Sequence, residues 1–258
     1  MSSTQINTYQ FNDYSLAIES KIDTSLIDQA LPTAISINID SIDLVLCHTE
    51  QHHGLSLQWL SAPNGQLKFT IDVESLVKQH HSFPIAKQGA FNQALGKKTN
   101  TIIDASGGWG TDALLMAMQG YQVTVIERQP IMALLLQEAF ARFARIEWVQ
   151  DNSVIVPSLK FGNFEQLYLD QQLSADCLYF DPMFPAKRKK SAAANKQMQL
   201  LQWLVGQDLD AASVVSTVLN TNIRRIAVKR PAYAEPLLEK PSEHFSSKLV
   251  HYDVYLNH

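Results

Sequence analysis

The stretch TIIDASGGWGTDALLMAMQG, residues 101–120, constrains this chain more than any other. Its apolar, β-branched start ends on Asp104, a run of small residues turns the backbone, and a helical pattern opens at Thr111 and stops at Gly120. A strand that feeds a helix through so tight a turn begins an α/β unit, and the rest of the chain keeps the alternation. VTVIE (123–127) predicts the second strand, and Pro130, suited to a first turn, opens a helix that runs through Phe143. IEWVQ (146–150) predicts a third strand, CLYFD (177–181) a fourth and RIAVKR (225–230) a fifth, with helix over 194–219 and a last strand or hairpin arm in LVHYDVYL (249–256). The segment before residue 101 differs. LVLCH, LSLQWL and LKFTIDV are short strand-like runs, and the Asn-Gly of APNG (62–65) is a hairpin signal. The expected organisation is a small β-rich N-terminal subdomain with its connector over 1–90, followed by an α/β domain over 91–258.

Composition narrows the function classes. The chain has 258 residues, 46% hydrophobic and 18% charged, the balance of an ordinary globular protein. No run approaches the roughly 20 apolar residues that span a bilayer, and the first residues lack the basic start and apolar stretch of a signal peptide, so no membrane and a cytoplasmic location are expected. Cys47 and Cys177 sit in separate apolar contexts and imply no disulfide. CHTEQHH gathers Cys47, His48, His52 and His53, but no second cluster has ligand spacing and no metal is expected. The net charge of −4 hides a local excess: residues 181–230 carry nine basic side chains against three acidic. Local sign steers a polyanion, so Lys187, Arg188, Lys189 and Lys190, joined by Lys229 and Arg230, are the candidate RNA contacts, the alternative being a solvated charged loop.

The glycine-rich turn satisfies G-x-G-x-x-A through Gly108, Gly110 and Ala113, a pattern compatible with a dinucleotide or with a ligand-free tight turn. Glu127 ends the next strand 19 residues after Gly108, where a carboxylate can accept hydrogen bonds from ribose hydroxyls; Arg128 follows it. Asp112 lies in the first turn of the helix, where it would repel a diphosphate but suit a cation. S-adenosylmethionine carries an adenosine, a sulfonium and an ammonium group and no phosphate. The loop therefore fits it better than NAD, with Asp104, Gly108, Gly110, Asp112 and Glu127 facing the cofactor.

CLYFDPMFP (177–185) places a carboxylate at the end of a buried strand and stiffens the chain behind it. The amino group of a nucleobase is a weak nucleophile because its lone pair is delocalised into the ring. Two rigid acceptors that hold its N–H groups relieve this: the Asp181 carboxylate and the Pro182 carbonyl. Phe184 is placed to stack on an extruded base. Which base carries the amine is not encoded in D-P-x-F-P.

DASGGWGTDALLMAMQGYQVTVIERQP, YFDPMFPAKRKKSA, LQWLVGQDLDA and VKRPAYAEPL together resemble the RsmJ family of bacterial methyltransferases, in consistent order from about residue 100 to the C-terminus. The resemblance implies a Rossmann-like fold, S-adenosylmethionine as cofactor, and methylation of a guanine N2 in 16S ribosomal RNA, with the RNA or the small ribosomal subunit as partner. It also implies cofactor contacts at Thr111 and Asp112, Glu127 and Arg128, Asn152 and Ser153, and Asp181; the pair Asn152 and Ser153 rests on the resemblance alone. Thr111 stands where the family commonly has arginine. Competing readings are an adenine-N6 methyltransferase using the same loop, an NAD-dependent oxidoreductase, which Asp112 disfavours, and a non-catalytic RNA-binding protein on the same fold.

Overall fold

Two sheets divide the chain, and the second carries the alternation that the periodicity predicts. The computed structural model describes residues 6–11, 14–19, 21–25, 42–49, 54–63, 65–80, 82–171, 173–184, 196–206, 208 and 210–257. The first sheet contains β1 (Ile6–Gln10), β2 (Ser15–Glu19), β3 (Leu44–Thr49), β4 (Gly54–Trp59) and β5 (Leu67–Thr70), in that spatial order. Its β4–β5 hairpin closes at Trp59 opposite Leu67, as the Asn-Gly signal predicts, whereas β1 and β2 are strands not expected from the sequence. Two short helices connect the sheets, α1 (Val73–Lys78) and α2 (Gly89–Leu95).

The second sheet begins with β6 (Thr101–Asp104), α3 (Thr111–Met118), β7 (Gln122–Glu127) and α4 (Pro130–Phe143). Then follow α5 (Glu147–Asp151), β8 (Ser158–Phe161), α6 (Phe164–Gln171), β9 (Cys177–Phe180), α7 (Lys196–Val205), α8 (Ala211–Val218), β10 (Arg225–Pro231), β11 (Glu243–Ser246) and β12 (Val250–Leu256). The spatial order is β11-β12-β10-β9-β6-β7-β8. Strands β10, β9, β6, β7 and β8 are mutually parallel, and β12 runs antiparallel between β10 and β11. All four residues of β9 are buried, the continuous apolar run expected of a strand covered on both faces.

One predicted element is wrong. IEWVQ is not the third strand: Glu147–Asp151 is a single helical turn, in which the buried Val149 follows the half-buried Ile146 at helical spacing. The true third strand is β8, SLKF, an edge strand with no fully buried residue and little hydrophobic signal.

The two sheets share a core. Leu16, Leu46 and Leu57 of the first sheet belong to the same buried cluster as Met116, Leu135 and Phe143 of the second unit. Among the described residues, no helix is long and apolar enough to cross a membrane.

Candidate active site

Sheet order places the site. The chain leaves β6 in one direction to β7 and returns on its other side as β9, so a crevice opens beyond the carboxyl ends of β6 and β9. A cleft of about 320 Å³ occupies this position, within the range of small-molecule sites. The glycine loop forms one wall. Gly110 adopts φ +71° at the start of α3, and a Cβ there would lie 2.5 Å from Leu136, so the turn and the close approach of α4 both demand glycine.

Carboxylates converge on the cleft. Glu127, at the end of β7, accepts the Gly108 N–H at 2.8 Å and the Gln129 N–H at 2.7 Å, and so pins the glycine loop to the strand. Burial pushes its carboxyl up to about 7, against the pull of those two amides. Asp104 accepts the Ser106 N–H at 3.0 Å; burial, aided by Asp112 and Asp181, likewise raises it to about 7. Asp181 follows β9, and its own N–H donates to Ser106 Oγ at 2.7 Å. Its side chain lines the cleft and is 37% exposed. Burial raises it to about 6, and the Lys229 ammonium is the main opposing influence. Asp112, in the first turn of α3, receives hydrogen bonds from the Tyr179 hydroxyl and from Lys229 Nζ, the latter at 2.8 Å.

Arg128 spans the rim. Its guanidinium pairs with Asp208 and, at 3.0 Å, with Asp210, in the connection between α7 and α8. The other Asp208 oxygen accepts the Met183 N–H at 2.7 Å, so one carboxylate ties the D-P-M-F loop to the end of β7. Met198, Leu201 and Val205 of α7 complete an apolar wall opposite the acidic one.

Of the residues expected from sequence, Asp104, Gly108, Gly110, Thr111, Asp112, Glu127, Arg128, Asp181 and Lys229 line this cleft. Asn152 and Ser153 do not: Asn152 caps α5, with its amide donating to the Trp148 carbonyl at 2.8 Å. Gly162, Asn163 and Phe164, which follow the true third strand, take that place in the wall. Pro182 is buried; Phe184 is half-buried and is not part of the wall, where Met183 stands instead.

The candidate RNA contacts separate. Lys187, Arg188, Lys189 and Lys190 lie outside the described residues. Lys229 faces the cleft rather than the surface, bridging Asp112 and Asp181 at 2.8 Å each. Arg230 is buried on the opposite side of β10, its Nε 2.5 Å from the fully buried Asp253, and cannot reach a phosphate. Consecutive strand residues point to opposite faces, so these two could never serve one surface.

Comparison with known proteins agrees with this geometry. A family model of SAM-dependent methyltransferases matches residues 33–257. The ribosomal RNA small subunit methyltransferase J of Tolumonas auensis is 33% identical over 234 residues, covering 88% of this chain and 91% of the relative. That of Colwellia psychrerythraea is 35% identical over 210 residues, covering 80% and 76%. The chain belongs to the ribosomal RNA small subunit methyltransferase J family. A solved SAM-dependent methyltransferase from Neisseria gonorrhoeae is 25% identical, with a TM-score of 0.66 over 94% of this chain and 95% of that one.

The cleft fits the family's cofactor on its own chemistry. Ile126, Phe164 and Val214 offer apolar walls for an adenine, and Glu127 offers an acceptor for ribose hydroxyls. Asp104 and Asp112 suit an ammonium group. A carboxylate at the α3 N-terminus, with the adjoining lysine already shared by two aspartates, does not suit a diphosphate. Sequence reasoning missed Asn163, Phe164, Met183 and Asp208. The Gly-Asn pair at 162–163 was the available signal, because Asn163 Oδ1 accepts the Glu165 N–H at 2.9 Å and caps α6.

Proposed function

We propose that this protein transfers a methyl group from S-adenosylmethionine to the exocyclic N2 of a guanine in 16S ribosomal RNA. One observation carries the reading: Asp181, the acceptor of the D-P-M-F loop, shares one cleft with the glycine loop and Glu127. The names of the relatives support the small-subunit RNA as substrate. When bound, S-adenosylmethionine supplies a methyl group made electrophilic by its sulfonium.

Asp104 and Asp112 hold the cofactor's ammonium end, and Glu127 its ribose. The Asp181 carboxylate and the Pro182 carbonyl accept the two N–H groups of the base, localising the nitrogen lone pair for attack. At neutral pH Asp181, at about 6, is mostly ionised and therefore an acceptor. After transfer, the nitrogen loses a proton, and the same carboxylate is placed to receive it. Phe184 stacks on the extruded base, and Lys187, Arg188, Lys189 and Lys190 follow the RNA backbone, so binding weakens as salt rises. An RNA substrate of this kind places the protein in the cytoplasm.

Mass spectrometry of 16S ribosomal RNA decides the matter, using a strain that lacks the protein and is complemented with wild type or with Asp181→Ala. The expected result is a single N2-methylguanine that disappears, returns with wild type and stays absent with Asp181→Ala. Loss of an N6-methyladenine instead would assign the other base, and an unchanged modification profile would leave only RNA binding.

A further inference from the structure

Lys229 is a cation inside the cleft wall to which the reaction above gives no role. Strand register brings it there. β10 pairs in parallel with β9 so that Val228 stands beside Phe180, and the next residues on the two strands are Lys229 and Asp181. The ammonium lies 2.8 Å from Asp181 Oδ2 and 2.8 Å from Asp112 Oδ2, with only 23% of the side chain exposed. The Tyr179 hydroxyl fills a further site on Asp112. Tyr252 sits opposite Lys229 on β12, while Asp104 at the end of β6 and Asp208 from the α7–α8 connection add negative charge nearby.

We propose that Lys229 is a positioning residue for methyl transfer, holding Asp181 charged and aimed at the incoming amino group while tethering it to Asp112. This rests on the reading of Asp181 as the amine acceptor. Two carboxylates around one ammonium leave the trio with a net charge of about −1 by simple charge counting. The cleft can therefore contain a lysine and still attract a sulfonium. A neutral residue at 229 would leave Asp112 and Asp181 repelling one another in a recessed site. One of them would take up a proton, and a protonated Asp181 would present an O–H where the amine needs a lone pair. The observed environment points the same way. Burial would lower the ammonium, but Asp181 and Asp112 more than reverse this and hold it well above the usual lysine range. Lys229 in turn is the main influence that keeps Asp181 from rising further.

The test is the single-turnover rate of methyl transfer to the RNA substrate between about pH 5.5 and 8.5, for wild type, Lys229→Met and Lys229→Arg. Binding of S-adenosylhomocysteine to each variant provides a second readout and confirms that the variants fold. Lys229→Met is expected to displace the acid limb of the profile upward by about one pH unit or more, which lowers the neutral-pH rate roughly twofold for a shift of one unit and about tenfold for a shift of two, with recovery at high pH. Lys229→Arg is expected to keep the limb near its wild-type position, and S-adenosylhomocysteine affinity to change by less than about threefold in Lys229→Met. An acid limb that does not move in Lys229→Met would overturn the proposal. A loss of S-adenosylhomocysteine affinity with an unmoved limb would show that Lys229 binds the cofactor's carboxylate instead. If wild type itself methylates no RNA, the functional reading fails first, and this inference falls with it.

Discussion

At the scale of single residues, Glu127 has two duties that pull in different directions. Its oxygens hold the Gly108 and Gln129 amides, and the same carboxylate faces the cleft where a ribose is expected. Burial keeps its folded value near 7, above the usual carboxylate range. The sign follows: the ionised form accepts hydroxyl hydrogen bonds better, so cofactor affinity rises with pH until Glu127 is fully ionised and then levels off. Titration calorimetry with S-adenosylhomocysteine across this range measures the slope. Glu127→Gln is expected to flatten part of it, the rest coming from Asp104, and to weaken binding by about 1–3 kcal/mol through loss of charge-assisted hydrogen bonds. For apo stability the sign is opposite. A carboxyl raised from 4.5 to about 7 on folding takes up a proton in that window, so its contribution favours the fold below about pH 4.5 and declines as pH rises through 7.

At the scale of elements, the site depends on two junctions: the turn from β6 into α3 and the connection from α7 to α8. In the turn, Gly110 combines a left-handed backbone with a Cβ position already filled by Leu136. Gly110→Ala is expected to destabilise the fold by about 2–4 kcal/mol, from backbone strain and overpacking together, with cofactor binding lost in parallel. Urea unfolding and cofactor titration of the purified variant check both. In the connection, Asp208 holds the Met183 N–H at 2.7 Å, while its backbone N–H donates to the Met183 carbonyl at 3.3 Å. Asp208→Ala frees the loop that carries Asp181 and leaves Arg128 with Asp210 alone as its carboxylate partner among the described residues. The expected cost is about 1–3 kcal/mol of transition-state stabilisation, seen as a roughly tenfold or greater fall in turnover with thermal stability little changed. A wild-type rate would show that the loop holds its shape without this anchor.

At the scale of the whole molecule, the N-terminal sheet packs into the same buried core as the second unit. Arg142 on α4 reaches into the first unit. It donates to the Ile71 carbonyl at 2.7 Å and pairs with Glu74 at 2.7 Å and Glu138 at 2.8 Å, and a Cβ on Gly54 would lie 2.6 Å from it. Gln129 donates to the Tyr14 hydroxyl at 2.7 Å, joining β2's approach to the residue that caps α4. The division at residue 90 also falls inside α2, whose Ala94 carbonyl accepts from Arg225 Nε at 2.6 Å on β10. Residues 91–258 expressed alone are therefore expected to lack a cooperative unfolding transition, and Arg142→Met in the full chain to lose about 1–3 kcal/mol. Chemical denaturation followed by tryptophan fluorescence distinguishes these outcomes from an independent α/β domain.

The sequence alone determined what short-range pattern can encode. Alternation of apolar runs and helical spacing yielded β6, β7, β9 and β10, the types of residue at strand ends brought out Asp104, Glu127 and Asp181, and the first turn of α3 brought out Asp112. It also yielded the hairpin at APNG. It did not yield β8, because SLKF is a half-exposed edge strand whose residues need no strong hydrophobic pattern, while the β-branched and aromatic residues of IEWVQ mimic a strand although Ile146 and Val149 stand at helical spacing. Tertiary structure decided which side chains meet. Strand order put Asn163 and Phe164, rather than Asn152 and Ser153, on the cleft. Strand parity sent Lys229 into the site and Arg230 into a buried pair with Asp253. Long-range closure brought Asp208 to Met183. The reason is physical: periodicity fixes which face a residue occupies within its own element, but the partner across that face is set by sheet order and register, which arise from contacts far apart in the chain.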